Sequence, residues 1–179
     1  MACPFYTIGH GTRAVDAFAG LLREARVTLV ADVRTVPRSR TNPQYDRDKL
    51  PRSLAAFHIA YEHIDALGGL RSRSREVPPE VNAFWQNESF HNYADYAMSD
   101  GFRVGLAHLR DLSRQHCCAI MCAETLWWRC HRRIIADYLL AAGDAVFHIL
   151  GPGHIDPAHM NEAARPHPSG CLSYPATVA

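Results

Sequence analysis

Residues 118–142 read CAIMCAETLWWRCHRRIIADYLLAA, and the fold turns on this stretch. Cys118 to Cys122 is an apolar run of strand length. Beyond it, Ile134, Ile135, Tyr138 and Leu139 recur at helical spacing, and Gly143 stands where a helix ends. The spacing predicts a strand over 118–122 and a helix over 129–142. A strand feeding directly into a helix is the repeating unit of an α/β sheet.

The same unit recurs on both sides. Phe5 to Ile8 reads as a first strand, followed by Phe18, Leu21, Leu22 and Ala25 at helical spacing. Val27 to Val33 is a second strand. Its nearly continuous apolarity suits a strand covered on both faces. Arg34 to Tyr45 is a polar loop with Pro37 and Pro43. A helix follows from about Asp48, with Pro51 in its first turn and Leu50, Leu54 and Phe57 as its inner stripe. Ala60 to Ile64 is a third strand, and Leu67 to Pro79 a second loop. Helical segments are expected over Glu80 to Met98. Asp100 is expected to cap a helix that turns Phe102, Leu106 and Leu109 inward. Val146 to Leu150 is the fifth strand. Residues 1–150 thus predict one α/β domain of three layers, with a mostly parallel five-strand sheet and helices on both faces. Residues 151–179 read as a Pro/Gly-rich tail with one short helix near 157–164.

Composition bounds the function. A chain of 179 residues is long enough to bury roughly 70% of its unfolded surface, so its core needs neither disulfides nor structural metal. At 47% hydrophobic and 21% charged it is too apolar for a disordered chain. No apolar run approaches the ~18 residues of a spanning helix, so no membrane partner is expected. The first ten residues lack a basic segment leading into an apolar one, which gives a cytoplasmic expectation. A net charge of +1 excludes a globally basic nucleic-acid binder but leaves local patches open. Lys49 is the only lysine, and arginine forks suit oxyanions. Six cysteines without a Cys-x2-Cys pair argue against a zinc ribbon. In a chain of this size they suggest buried thiols, a catalytic thiol or metal ligands.

Ligands of a parallel α/β sheet bind at the carboxyl ends of its strands. There the sequence collects Gly9-His10-Gly11, Asp32-Val-Arg34 and Cys122-Ala-Glu124, with Cys130-His-Arg132 opening the next helix. A thiol facing a helix amino end and arginines is stabilised as thiolate. The reading therefore expects a thiol-dependent enzyme, a cysteine-dependent transferase or hydrolase. Its substrate would be small and anionic or phosphorylated, with sulfur transfer one candidate. Cys122 is the expected nucleophile or redox thiol and Cys130 the resolving or supporting one. Glu124 and His131 would handle protons, and His10, Arg34, Arg38, Arg129 and Arg132 would hold the anion. Each cysteine can equally be read as a small buried hydrophobe.

Other readings stay open. Cys122, Cys130 and His131, with His10 and Glu124 in reach of the same strand ends, have the donor chemistry for zinc or iron. The basic residues Arg34, Arg38, Arg40, Arg47, Lys49 and Arg52, with the Arg71, Arg73 and Arg75 cluster, could attract a phosphorylated ligand or a nucleic acid. A solvated arginine-rich loop explains them as well. Six residues separate Cys122 from Arg129, one more than in a phosphatase anion loop.

The motifs taken together resemble a known family. They are Thr7-Ile-Gly-His10 with Thr12, Asp32-Val-Arg34, Pro37-Arg-Ser39 with Asn42-Pro-Gln44, and Leu67-Gly-Gly69. Tyr93-Ala-Asp-Tyr96 with Met98, Cys122-Ala-Glu124 and Cys130-His-Arg132 complete the set. From Thr7 to Ile149 the chain is similar to the domain-of-unknown-function 488 family. The resemblance implies an α/β domain with a site around the Cys-x-Glu and Cys-His-Arg elements, and no assigned reaction. The Asp-Val-Arg string also loosely resembles rhodanese-like domains, which place a thiol after a strand. Against the family pattern, Gly11 replaces a small hydroxyl residue and Ala14 a capping serine.

Overall fold

The computed structural model describes residues 2–178. Its central sheet has six strands in the order β3-β2-β4-β1-β5-β6. These are β1 Phe5–Gly9, β2 Leu29–Asp32, β3 Ala60–His63, β4 Cys118–Cys122, β5 Val146–Gly151 and β6 His154–Pro157. All neighbours run parallel except β5 and β6, which pair antiparallel. The expected five-strand sheet therefore gains a sixth strand, taken from the segment read as tail. β6 follows β5 through a tight turn with Gly153 at φ +66°, which glycine adopts without steric cost.

Among the described residues the helices are α1 Val15–Glu24, α2 Leu50–Ala55, α3 Glu88–Tyr96, α4 Asp100–Leu112 and α5 Arg132–Ala141. They cover both faces of the sheet, and strand periodicity decides which side chain meets which layer. In β4, Ala119 and Met121 pack with Phe18 and Leu22 of α1 and Leu50 and Leu54 of α2. Cys118, Ile120 and Cys122 point the other way, into the layer holding Ile134 and Ile135 of α5 and Phe102 and Leu109 of α4. The two-residue alternation of a strand thus delivers Cys122 to the α5 side. None of these helices is long and apolar enough to cross a membrane.

Several boundaries move from their expected places. Helix α5 starts at Arg132, because Trp127–Arg129 form a separate 3-10 turn and Cys130 is extended between the two. α2 starts at Leu50 with Pro51 in its first turn. The cap of α4 is Ser99, whose side chain accepts from the Phe102 amide, with Asp100 the first helical residue. The cap position before α1 is Ala14, which offers no capping side chain. Part of the segment after β6 packs into the domain. Leu172 and Tyr174 are fully buried on the α5 side, the short strands β7 Arg165–Pro166 and β8 Leu172–Ser173 pair antiparallel, and residues 157–164 form no helix.

Candidate functional site

The carboxyl ends of β1, β2 and β4 meet at the amino end of α5. His10 donates its amide to the Cys122 carbonyl, and Val33 donates to Met121. The chain leaving β4 must then pass close to β1. A Cβ on Gly9 would fall 2.0 Å from the Glu124 carbonyl oxygen, so only glycine admits the crossing. The following 3-10 turn is pinned by Trp127, which stacks on His148 with ring centres 4.3 Å apart. It returns Cys130 beneath Cys122.

The two sulfurs lie 2.6 Å apart. Cys130 Sγ also receives Arg132 Nε at 3.3 Å and the Arg132 amide at 3.5 Å, and has His131 Nδ1 at 3.5 Å. Burial opposes charge on Cys130, but the hydrogen bond from Cys122, His131 and the Arg132 guanidinium together hold its thiol well below the usual range. Burial, followed by its hydrogen bond to Cys130, pushes the Cys122 thiol well up. Both directions favour negative charge on Cys130 over Cys122. The helix amino end adds to this polarity, since its free amides favour an anion.

His131 is oriented for a proton. Its Nε2 donates to the Val33 carbonyl at 2.8 Å, which leaves Nδ1 facing Cys130. The ring is held from the other side by Gly69, where a Cβ would fall 2.5 Å from Nδ1. Tyr93 packs edge-on against the ring, 4.9 Å between centres. The Leu67-Gly-Gly69 stretch, read from sequence only as loop, is a wall of the site.

Arg34 is buried and committed to Asp32. Its Nε and Nη2 meet the two carboxylate oxygens at 2.9 and 2.7 Å, and Nη2 also donates to the Tyr45 carbonyl. His10 is buried behind it. A carbonyl can only accept, so His10 Nδ1 carries the proton given to Gly11 at 2.8 Å, and Nε2 accepts from Arg34 Nη1 at 3.4 Å. Burial lowers the His10 pKa, and Tyr45 stacks on the ring at 4.1 Å. His10 is therefore a neutral prop for Arg34 and does not line the cleft. Arg132 is also buried, donating to the Glu124 carbonyl and to Cys130. It stands behind the sulfur and does not open toward a ligand.

A cleft of about 460 Å³ opens over the sulfurs, lined by Cys122, Glu124, Cys130, His131, Arg34, Arg38 and Arg129. Arg38 and Arg129 are exposed at its mouth and pair with none of the described carboxylates. The Glu124 carboxylate accepts from the Leu126 amide at 3.0 Å, bracing the turn. The second arginine cluster serves another place. Arg73 and Arg75 line a separate cleft of about 1060 Å³ beside α3, and Arg71 lies flat on Tyr96 at 3.7 Å.

Of the further donors read from sequence, His10 gives its ring nitrogens to the Gly11 carbonyl and to Arg34, and one Glu124 oxygen accepts from the Leu126 amide. Among the described residues no three His, Cys, Asp or Glu side chains form a metal-holding group.

Sequence reasoning assigned Tyr45, Gly69 and Tyr93 no role beside the sulfurs, although Gly69 and Tyr93 both stand in the motifs quoted above. No curated protein and no solved structure matches the chain. The family model for the domain of unknown function DUF488 matches residues 14–139, well over half of the sequence, and the chain belongs to that family.

Proposed function

We propose that the protein is a thiol-dependent enzyme acting on a small anionic substrate, with Cys130 as its nucleophile. The observation that carries this reading is the set of donors converging on Cys130 Sγ: Arg132 Nε, the Arg132 amide and Cys122. A sulfur solvated this way is a thiolate at neutral pH. In this reading Cys130 takes the nucleophile's role and Cys122 is the partner that donates to it.

His131 Nδ1 holds or returns a proton at the sulfur. Arg38 and Arg129 gather the anion at the mouth, and Arg34 lines the same cleft. His10, Asp32 and Arg132 act as positioning residues. The negative charge attracted by the arginines suits a carboxylate, phosphate or sulfur oxyanion. Transfer of a group to and from Cys130 is the reaction class, and sulfur transfer belongs to it.

The test compares alkylation of Cys130 by iodoacetate and by neutral iodoacetamide, assigned by peptide mapping. Relative to its reaction with free thiols, the anionic reagent should be favoured at Cys130. Inorganic phosphate or sulfate should protect, and Arg38→Ala with Arg129→Ala should abolish both effects. Modification of Cys130 that ignores reagent charge and anions would overturn the anionic substrate. A Cys130 that stays unmodified while Cys122 reacts would overturn the nucleophile.

A further inference from the structure

Cys122 is placed to do more than stabilise charge on its neighbour. Its sulfur lies 2.6 Å from Cys130 Sγ, across a turn of only seven intervening residues. No other cysteine stands with this pair in the cleft lining. A simple nucleophilic thiolate needs donors around it, and Arg132 and His131 already supply them. A second thiol in line with the first adds an ability the other donors lack: it can displace whatever group Cys130 has taken up.

We propose that the site is a dithiol redox centre whose substrate is a small anionic disulfide with an apolar or aromatic body. This rests on the thiol-enzyme reading above and names the substrate class of the same site. Two observations on the cleft choose the substrate. Arg38 and Arg129 stand unpaired at the mouth for a carboxylate. Val36 and Leu70, which line the same cleft, are 58% and 72% exposed, and Phe90 completes an apolar wall beside the arginines. A carboxylate attached to an aromatic ring meets both surfaces.

The chemistry balances in two displacements. Cys130 thiolate attacks one sulfur of the substrate disulfide. The substrate S–S bond breaks, a mixed disulfide forms on Cys130, and the first half leaves as thiolate. Cys122 sulfur then attacks Cys130 Sγ. The mixed disulfide breaks, the Cys122–Cys130 bond forms, and the Cys122 proton leaves with the second half as a thiol. The substrate gains two electrons and the protein dithiol loses two. A low-mass thiol or a second dithiol reduces the protein disulfide and resets the site. Arg132 serves both steps, because once Cys130 is neutral the same guanidinium stabilises charge developing on Cys122.

The test uses dithiobis(nitrobenzoate), an aromatic disulfide with a carboxylate on each ring, on the full chain. Cys3 and Cys171 are the cysteines outside the core, so both are first replaced by serine. About two equivalents of aryl thiolate should appear rapidly per chain. Non-reducing peptide mapping should then find Cys122 linked to Cys130 with no aryl group retained. Cys122→Ser should release about one equivalent and keep the aryl group on Cys130. Neutral dithiodipyridine should lose its rate disadvantage when Arg38 and Arg129 are changed to alanine. If Cys130 shows the charge-selective alkylation described above yet retains the aryl group with Cys122 present, the dithiol centre is wrong and the thiol enzyme stands. If Cys130 responds to neither alkylating agent nor disulfide, both readings fall. The linked peptide in the serine-substituted chain decides the matter even if Cys122→Ser fails to fold.

Discussion

Arg132 Nε points at Cys130 Sγ from 3.3 Å while its Nη2 holds the Glu124 carbonyl, so one buried guanidinium ties the reactive sulfur to the turn that carries it. The cation is fully buried, and in the proposed site a Cys130 thiolate is its countercharge, so that the two stabilise each other. Arg132→Met should cost about 3–5 kcal/mol, the usual result of breaking a buried ion pair. It should also raise the apparent pKa of Cys130. Arg132→Lys keeps the charge and loses the fork, and should retain more of the low thiol pKa than the methionine variant. Urea unfolding reads the first effect and pH-dependent alkylation the second. Equal thiol pKa values in the two variants would separate Arg132 from the sulfur's charge.

Gly69 gives a sharper probe, because it lines the cleft and closes directly on His131. A methyl there would fall 2.5 Å from Nδ1, and the ring must move away from Cys130. Gly69→Ala should raise the apparent pKa of Cys130 in the pH–rate profile of alkylation by about one unit. The far-ultraviolet circular dichroism should not change. An unchanged apparent pKa would remove His131 from the account.

Ala14 tests the backbone argument. It occupies the cap position of α1 with extended dihedrals, φ −63° and ψ 147°, and supplies no acceptor. Ala14→Ser should satisfy one free amide and stabilise the protein by about 1 kcal/mol, a rise of roughly 2–4 °C in Tm. Gly11 is different. Its φ is +54° and a Cβ would meet Thr125 Cγ2 at 2.5 Å, so Gly11→Ser should destabilise despite restoring a hydroxyl common in the family.

Asp137 predicts a pH dependence of known sign. Its carboxyl is buried in α5 and accepts from the Tyr174 hydroxyl and the Asn161 amide. Burial nevertheless pushes its pKa up to about 6. A folded pKa above the unfolded one means that the native state holds this proton more tightly. Its contribution is fully present below the ordinary carboxyl range and is lost as pH rises through about 6. Asp137→Asn removes that loss. Its stability relative to the parent should therefore improve by about 2 kcal/mol between pH 4 and pH 7, at 1.36 kcal/mol per pKa unit. Urea midpoints at both pH values measure it, and a pH-independent difference would contradict the shift.

Much of this architecture can be read from residue order. The buried strands β2 and β4 are continuous apolar runs, and such runs alternating with helical spacing specify a parallel sheet. β6 is hidden because His154-Ile-Asp-Pro157 is a partly exposed edge strand ending in proline, with none of the apolar continuity of the others. Leu172 and Tyr174 stand alone among Pro, Ser and Gly, so no period announces their burial. At the site, the strand-end rule collects Cys122, Glu124 and Arg34 correctly in space. It says nothing about allegiance. Arg34 belongs to Asp32, and which sulfur carries charge depends on where Arg132 Nε points. Those are side-chain directions, set by packing between segments distant in sequence.

The measurement closest to the central claim is the rate of iodoacetamide alkylation against pH, with each cysteine assigned by peptide mapping. The account predicts that Cys130 reacts with an apparent pKa well below the ~8.5 of free cysteine, while Cys122 stays unreactive until higher pH. A Cys130 that titrates at or above that value, or a Cys122 that reacts first, would contradict it.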